Sequence, residues 1–289
     1  MLKKDIKFIL GCIRRADQDF GMIKAGDRVL VGLSGGKDSL MLVHMMDLYR
    51  QFSPDKFELV AATLDLGLKK LDFDALAGFC RVRNIPYVVE KTNIGEVVFE
   101  ARQEKNPCAL CAKMRRGSLA TLAQKLGCNK IALGHQREDV METLLLSLFH
   151  EGRINTFAPV TWLDRSDIEQ IRPMIYVPTK RILPVVRELA FPVQQSACPA
   201  AGDIDRERMR NLVQSLNRIQ PNADEMLFRA IAHPESYGLW DRLHRRPEDL
   251  PDTRQRPELS ALFPEWAASQ EKNQEENAEN PPAESCHTD

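Results

Sequence analysis

Val29-Leu30-Val31-Gly32-Leu33-Ser34-Gly35-Gly36-Lys37-Asp38-Ser39 decides how this chain folds. An apolar run of strand character stops in Ser-Gly-Gly-Lys-Asp-Ser, and Leu40-Met41-Leu42-Val43-His44-Met45-Met46 continues as a helix. A small-residue turn between a strand and a helix N-terminus is a phosphate cradle. Glycines let backbone N–H groups approach an anion with no Cβ in the way, and the helix dipole adds partial positive charge. Ser34 and Ser39 suit donation to phosphate oxygens, Lys37 supplies a full charge, and Asp38 suits Mg²⁺. The spacing differs from that of the Walker loop, in which Gly and Gly-Lys-Ser/Thr stand farther apart.

Working outward, strands and helices alternate. The pattern predicts a helix over 1–20 ended by Gly21, then a strand over 28–32 and a helix over 38–51. Strands follow over 57–65 and 86–90, separated by a helix over 71–84 whose apolar positions 71, 75, 76, 79 and 82 keep a helical period. A short helix or loop covers 95–105, a helix 115–126, a strand 130–134 and an apolar helix 138–149. Further on, a strand over 168–173, a helix over 179–188, a short strand over 191–194 and helices over 205–219 and 223–232 are expected. The fold class is therefore α/β: a parallel sheet flanked by helices, with an N-terminal helix and a small C-terminal helical extension. Ligands of such sheets sit beyond the C-terminal strand ends, where the loop, Asp65 and Gly134-His135 should converge.

Composition sets the bounds. With 289 residues, 43% of them hydrophobic, the chain can bury a sizeable core. No apolar run reaches the roughly 18 residues of a membrane span, because charges interrupt each candidate. The N-terminus, Met1-Leu2-Lys3-Lys4-Asp5-Ile6-Lys7-Phe8-Ile9-Leu10, has too short an apolar part for a signal peptide, which points to the cytoplasm and no membrane partner. The net charge of −1 hides an asymmetry. Residues 251–289 hold nine acids and three bases, leaving 37 bases against 32 acids in residues 1–250. A mildly basic body permits an RNA substrate, and the acidic, Glu-, Asn-, Gln- and Pro-rich tail is expected to be disordered.

Seven cysteines, an odd number with no sign of export, argue against a disulfide framework and for metal or redox chemistry. Cys108 and Cys111 form a C-x-x-C turn followed by Lys113, Arg115 and Arg116. A zinc knuckle needs a second pair, which the chain lacks, and a redox dithiol is the alternative. Cys198, in Ser196-Ala197-Cys198-Pro199, is the best third partner, though a free Cys is also a common core residue. Three cysteines would leave one iron of a [4Fe–4S] cube open to carry sulfide. Cys12, Cys80 and Cys128 read as core thiols, and Cys286 as incidental to the tail.

These segments together carry a resemblance. Residues 34–39 look like the PP-loop of the ATP-pyrophosphatase (adenine nucleotide alpha hydrolase-like) superfamily, which implies cleavage between the α- and β-phosphates of ATP. Adding the C-x-x-C with its Arg115-Arg116-Gly117, then Gly134-His135-Gln136-Arg137-Glu138-Asp139, Ile171-Arg172-Pro173-Met174 and Cys198, the chain resembles the tRNA 2-thiocytidine synthetase (TtcA-like) family over about residues 1–235. That resemblance implies ATP-dependent tRNA thiolation: adenylation of a tRNA base, a cytidine of the anticodon loop, with release of pyrophosphate, then insertion of sulfur with a [4Fe–4S] cluster. It implies that Ser34, Gly35, Gly36, Lys37, Asp38 and Ser39 bind ATP and Mg²⁺, that Asp65, Gly134 and His135 line the nucleotide site, and that Asp38 and Asp139 serve catalysis near the metal. Cys108, Cys111 and Cys198 would ligate the cluster and serve catalysis through it. The implied partners are tRNA, a sulfur donor such as a cysteine desulfurase, and a second copy in a homodimer.

Two positions depart from the family pattern. The third cysteine lacks its usual companion, and Glu138 stands where the family has the first Asp of G-H-x-x-D-D. Arg206, Arg208, Arg210 and Arg218 read as a solvated helix face or, with RNA, as phosphate contacts. The expected organisation is a helix over 1–25, a PP-loop ATP-binding domain over 26–204 carrying the C-x-x-C insertion, a helical segment over 205–250 and the tail over 251–289. The rival readings are a lysidine-type adenylating enzyme, which needs no cluster, and an Fe–S sulfur-trafficking or redox-sensing nucleotide-binding protein without RNA.

Overall fold

The computed structural model describes residues 2–68, 71–102, 107–195, 198, 204–236 and 264. The chain divides into two units, Met1–Ser236 and Tyr237–Asp289. Of the second, only Pro264 is among the described residues, so the expected disordered tail lies outside them.

The first unit is built on a six-stranded sheet of order β3-β2-β1-β4-β6-β5. The strands are β1 (Arg28–Gly32), β2 (Glu58–Asp65), β3 (Tyr87–Lys91), β4 (Lys130–Ala132), β5 (Val160–Leu163) and β6 (Ile168–Ile171). All neighbours run parallel except β5, an antiparallel edge strand joined to β6 by a turn with Asp167 at φ 55. The chain winds outward from β1 to β3 and then returns to β1's other side with β4. That reversal opens a crevice beyond the C-terminal ends of β1 and β4.

β1 shows why the sheet is two-sided. Val29, Leu30 and Val31 are all fully buried. Val29 and Val31 join the core beneath α1 (Leu2–Phe20), α2 (Lys37–Phe52), α3 (Phe73–Arg81) and α7 (Thr179–Glu188), while Leu30 joins the core beneath α5 (Pro107–Lys125). Successive side chains of a strand point to opposite faces, so a central strand covered on both reads as a continuous apolar run. The short α4 (Ile94–Glu96) precedes a π-turn over Val97–Ala101.

α6 (Arg137–Leu146) ends in a second π-turn over Ser147–Glu151 and packs against α8 (Ile204–Ile219) and α9 (Ala223–Ala232) through Met141, Leu145 and Val213. Two ion pairs tie these helices together. Arg137 Nη2 meets Asp224 at 2.7 Å, and Arg210 Nε meets Glu142 at 2.8 Å. At the N-terminus, Asp5 of α1 accepts from Arg181 of α7 at 2.8 Å.

Three expectations change. α5 starts at Pro107, not at 115, so the C-x-x-C lies in the first turn of a helix rather than in a loop. Its Pro suits a first helical position, where the missing N–H has no intrahelical partner to lose. The expected strand over 191–194 is irregular chain: Gln194 spends its N–H on Gly35 O (2.9 Å) rather than on a ladder. β5 was not expected, because a four-residue edge strand shows too little alternation to register.

Candidate active site

Gly35 turns the loop with φ +81, a conformation open to glycine, and Gly36 precedes α2 in extended conformation with no side-chain cap. The first-turn N–H groups of α2 are therefore left for a ligand. The loop is shaped from within. Ser39 Oγ donates to Gly36 O (2.9 Å) and accepts from Ser34 N (3.1 Å) and Ser34 Oγ (3.2 Å). Ser39 thus braces the turn from a buried position, whereas Ser34 is exposed at the surface of the cradle. Lys37 Nζ lies 2.6 and 2.7 Å from the two carboxylate oxygens of Asp38.

Gly134, just past the end of β4, faces this loop. A Cβ there would lie 3.1 Å from the backbone C and O of Asp38 and 3.3 Å from Ser39 N, so only glycine lets the two backbones approach. Gln136 then bridges the halves. Its Nε2 donates to Asp38 Oδ1, and its Oε1 accepts from Thr179 Oγ1 (2.8 Å) at the start of α7. Glu138 turns away from the loop, with Oε2 accepting from Thr179 N at 3.0 Å. The family's first Asp position is occupied here by a residue that anchors α7.

Asp139 begins α6 by accepting from Gln136 N at 2.7 Å. Burial pushes its carboxyl up to about 6, against the pull of that N–H; Glu142 and Asp38 push the same way and Arg206 opposes them. Asp139 and Asp38 therefore share one electrostatic neighbourhood. His135 stacks on Phe157, ring centroids 4.9 Å apart, and its Nδ1 is buried without a partner. Burial brings it down to about 4, helped by Arg172, Arg206, Arg115 and Arg116, so the imidazole is neutral at physiological pH. Asp65 ends β2, one strand over from β1. One of its carboxylate oxygens accepts from Gly67 N (3.0 Å), so part of its bonding capacity serves the local turn.

The three cysteines form a second group. Cys108 is exposed, and Cys111 and Cys198 are half-buried. Burial raises the Cys111 thiol, Arg115 one turn on lowers it, and Cys198 and Cys108 raise it further. The structure thus brings all three sulfurs into one electrostatic neighbourhood. Arg115 acts on both Cys111 and His135 through its charge. Cys198 follows four residues after Gln194, whose N–H is bonded to Gly35 and whose side chain exchanges two 2.8 Å hydrogen bonds with the Asp72 backbone. Among the described residues, no three His, Cys, Asp or Glu groups could hold one metal ion. Three soft thiols near one another, without convergence on a single point, fit an iron–sulfur cube, where each thiolate binds a different iron.

Sequence reading missed Gln136, Gln194 and Phe157, which position the site through contacts distant in sequence. It treated Arg206, Arg208 and Arg210 alike, and the structure separates them. Arg206 acts on His135 and Asp139, while Arg208 pairs with Asp205 and Arg210 with Glu142. A surface cavity of about 530 Å³ lies at the opposite, N-terminal strand ends, where Arg28 and Glu58 pair at 2.6 Å; none of the site residues lines it.

Comparison with known proteins gives three findings. A PP-loop domain family model matches residues 12–216. The chain is 40% identical over 248 residues to the tRNA-cytidine(32) 2-sulfurtransferase of Geobacter sulfurreducens, covering 85% of this chain and 96% of that protein. It is 38% identical over 252 residues to the enzyme of the same name from Geobacter metallireducens, covering 86% and 98%. Among solved structures, the chain resembles the U34-tRNA thiolase NcsA from Methanococcus maripaludis with its [4Fe-4S] cluster. The TM-score is 0.67 at 22% identity, over 81% of this chain and 80% of that one, a likeness of fold.

Proposed function

From its membership of the PP-loop family of tRNA-cytidine(32) 2-sulfurtransferases, which the sequence matches establish, we propose how this chain's residues carry out ATP-dependent thiolation of a tRNA cytidine. One observation carries the reading. Gln194, four positions before Cys198, donates its N–H to Gly35 of the phosphate loop, and Arg115, Cys198 and Cys108 all act on Cys111.

The loop over 34–39 and the first turn of α2 hold the phosphates of ATP, and Asp38 and Asp139 are the residues that would hold Mg²⁺. On ligand binding, Lys37 exchanges the Asp38 carboxylate for phosphate oxygens. The C2 oxygen of cytosine attacks the α-phosphorus, the α–β bridging bond breaks, and pyrophosphate leaves into the loop. The loop's N–H groups and Lys37 stabilise the charge developing there. The base oxygen, otherwise a poor leaving group, is now part of AMP. Gly134 and His135 line the nucleotide, and neutral His135 leaves the surrounding arginine charge to the anion.

Cys108, Cys111 and Cys198 are the residues that would hold a [4Fe–4S] cluster, which when bound supplies sulfur for transfer. Cys108 is exposed on the first turn of α5. Sulfur leaves the protein with each product, so an external donor, such as a cysteine desulfurase, must replenish it. The body over 26–204 binds ATP, with 1–25 and 205–250 as its flanks and 251–289 as a tail. A homodimer, carried from the family resemblance, is tested by sedimentation. The site for tRNA carries with it a cytoplasmic location, and no helix among the described residues is long and apolar enough to cross a membrane.

The test is anaerobic purification of wild type, Cys108→Ala, Cys111→Ala and Cys198→Ala, with iron and sulfide assays, ATP binding and thiolation of tRNA. Wild type should carry about four irons and the variants should lose them. The variants should also lose thiolation while binding ATP as before. Full thiolation by any of the three would remove that cysteine from the cluster. A wild type that binds ATP but stays free of iron after reconstitution would favour the lysidine-type reading.

A further inference from the structure

Among the described residues, Arg172 is the exception among the buried cations. Other buried cations face carboxylates: Lys130 meets Glu169 and Asp27, and Arg137 meets Asp224. Arg172, directly after β6, is 3% exposed. Its Nη1 donates to Ala158 O (2.5 Å) and Thr161 Oγ1 (3.1 Å), both neutral. Its Nε is buried with no partner, and among the described residues no carboxylate pairs with it. A buried cation without a counter-ion is costly, so the site is one negative charge short.

The missing charge has a defined place. The Arg172 guanidinium lies 4.9 Å over the Phe157 ring, and the His135 ring is 4.9 Å from the same ring. Two buried, unpartnered nitrogens, Arg172 Nε and His135 Nδ1, therefore flank one aromatic side chain. His135 directly follows Gly134, which touches the start of α2. The charge of Arg115 acts on His135 and on Cys111 alike. Arg116 acts on Arg172 and His135 together, which deepens the positive field. Through Gly134 this cluster lies beside the start of α2 and the phosphate loop.

We propose that Arg172, with His135 beside it, seats the α-phosphate of ATP, the phosphate that comes to join adenosine to the RNA base. This rests on the adenylation reading above. The ligand chemistry is a phosphate ester, and its two sources are the nucleotide and the RNA backbone. Arg172 receives the nucleotide's phosphate through Nε and Nη2, the fork left over by the two bonds to Ala158 and Thr161. The alternative is a brace that only holds those two positions.

The full chain, as wild type, Arg172→Met and Arg172→Lys, is titrated with AMP, with inorganic pyrophosphate and with tRNA, and its thermal unfolding is followed without ligand. Arg172→Met should weaken AMP by about ten- to a hundredfold, as loss of a charge-assisted pair does. Pyrophosphate and tRNA should stay within about twofold, the range of a site that does not contact Arg172. The unliganded midpoint should hold or rise, because an unpaired buried charge has gone. Arg172→Lys should recover part of the AMP affinity. Unchanged AMP affinity in Arg172→Met, with a lower unliganded midpoint, makes Arg172 a brace and overturns the proposal. Weakened tRNA with unchanged AMP assigns the seat to the RNA backbone and overturns the nucleotide. If Arg172→Met does not fold, Arg172→Lys decides: AMP weakened about threefold or more supports the fork, since a lysine is a point charge, and equal affinity overturns it. A wild type that binds neither AMP nor ATP would sink the adenylation reading itself, a result visible before any variant is made.

Discussion

Asp139 and His135 titrate in opposite senses across one pH window. Asp139 is raised to about 6 from 3.8, so between those values the folded chain keeps a proton that the unfolded chain has released, and stability falls as pH rises. His135 is lowered to about 4 from 6.5, so the unfolded chain holds the extra proton and stability climbs with pH. In wild type the two slopes offset. Asp139→Asn should expose the histidine's slope, gaining on wild type as pH rises and most above about 6. Urea unfolding at both ends of the window checks this; a constant difference between the two proteins would show that Asp139 is not held protonated by the fold. The types of these residues were legible in the sequence through the Gly134-His135-Gln136-Arg137-Glu138-Asp139 segment and the family resemblance it carries. Their settings were not. That Ser39 is spent inside the loop, and that Glu138 serves α7, depends on Gly36 and Thr179 standing where only the folded chain puts them.

At the scale of elements, the contact between β4 and α2 is the critical joint. Gly134→Ala would press a Cβ against the Asp38 backbone at 3.1 Å, and backbone cannot swing aside as a side chain can. The expected result is a loss of ATP affinity of about tenfold or more, the effect of overpacking worth 1–3 kcal/mol. Isothermal titration checks it, and affinity equal to wild type would mean the loop yields. The parallel core of the sheet was readable from sequence because β1, β2 and β4 are apolar runs followed by helices of clear period. β5 and the first two turns of α5 were not. β5 is a four-residue edge strand, and the alternation of Cys108, Cys111 and the bases after them carries no apolar stripe for a period to mark. α7 matched its expected bounds despite Pro184, because its apolar positions Ile182, Val185 and Val186 keep helical spacing.

Across the whole unit, the sheet separates stability from chemistry. At the N-terminal strand ends Lys130, 2% exposed, pairs with Glu169 and lies 3.5 Å from Asp27, which itself accepts from Asn129 at 2.7 Å. Lys130→Met leaves two acids facing each other and should cost about 3 kcal/mol or more. Its affinity for ATP should not change, because that end shares no residue with the crevice. A urea midpoint combined with one nucleotide titration tests both halves; an equal loss in each would deny the separation. The parallel sheet, and hence a crevice at its C-terminal strand ends, followed from alternating elements, whereas its strand order did not; Cys198 was reached as a partner of Cys111, 87 positions away, only through the lack of a second C-x-x-C and the family resemblance.

The hydrogen bond from Gln194 to Gly35 also sets a leash. Cys198 is the fourth residue after Gln194, and a fully extended chain covers at most about 14 Å in four residues, so Cys198 is kept within that radius of the residue bonded to the phosphate loop. The leash fixes an exchange rate between fuel and product. Two glycines inserted after Gln194 should leave ATP consumption running while sulfur goes astray, so that more AMP is released for each thiolated tRNA. The molecule's economy would then be read as a stoichiometry, and its short tether as the device that keeps that ratio near one.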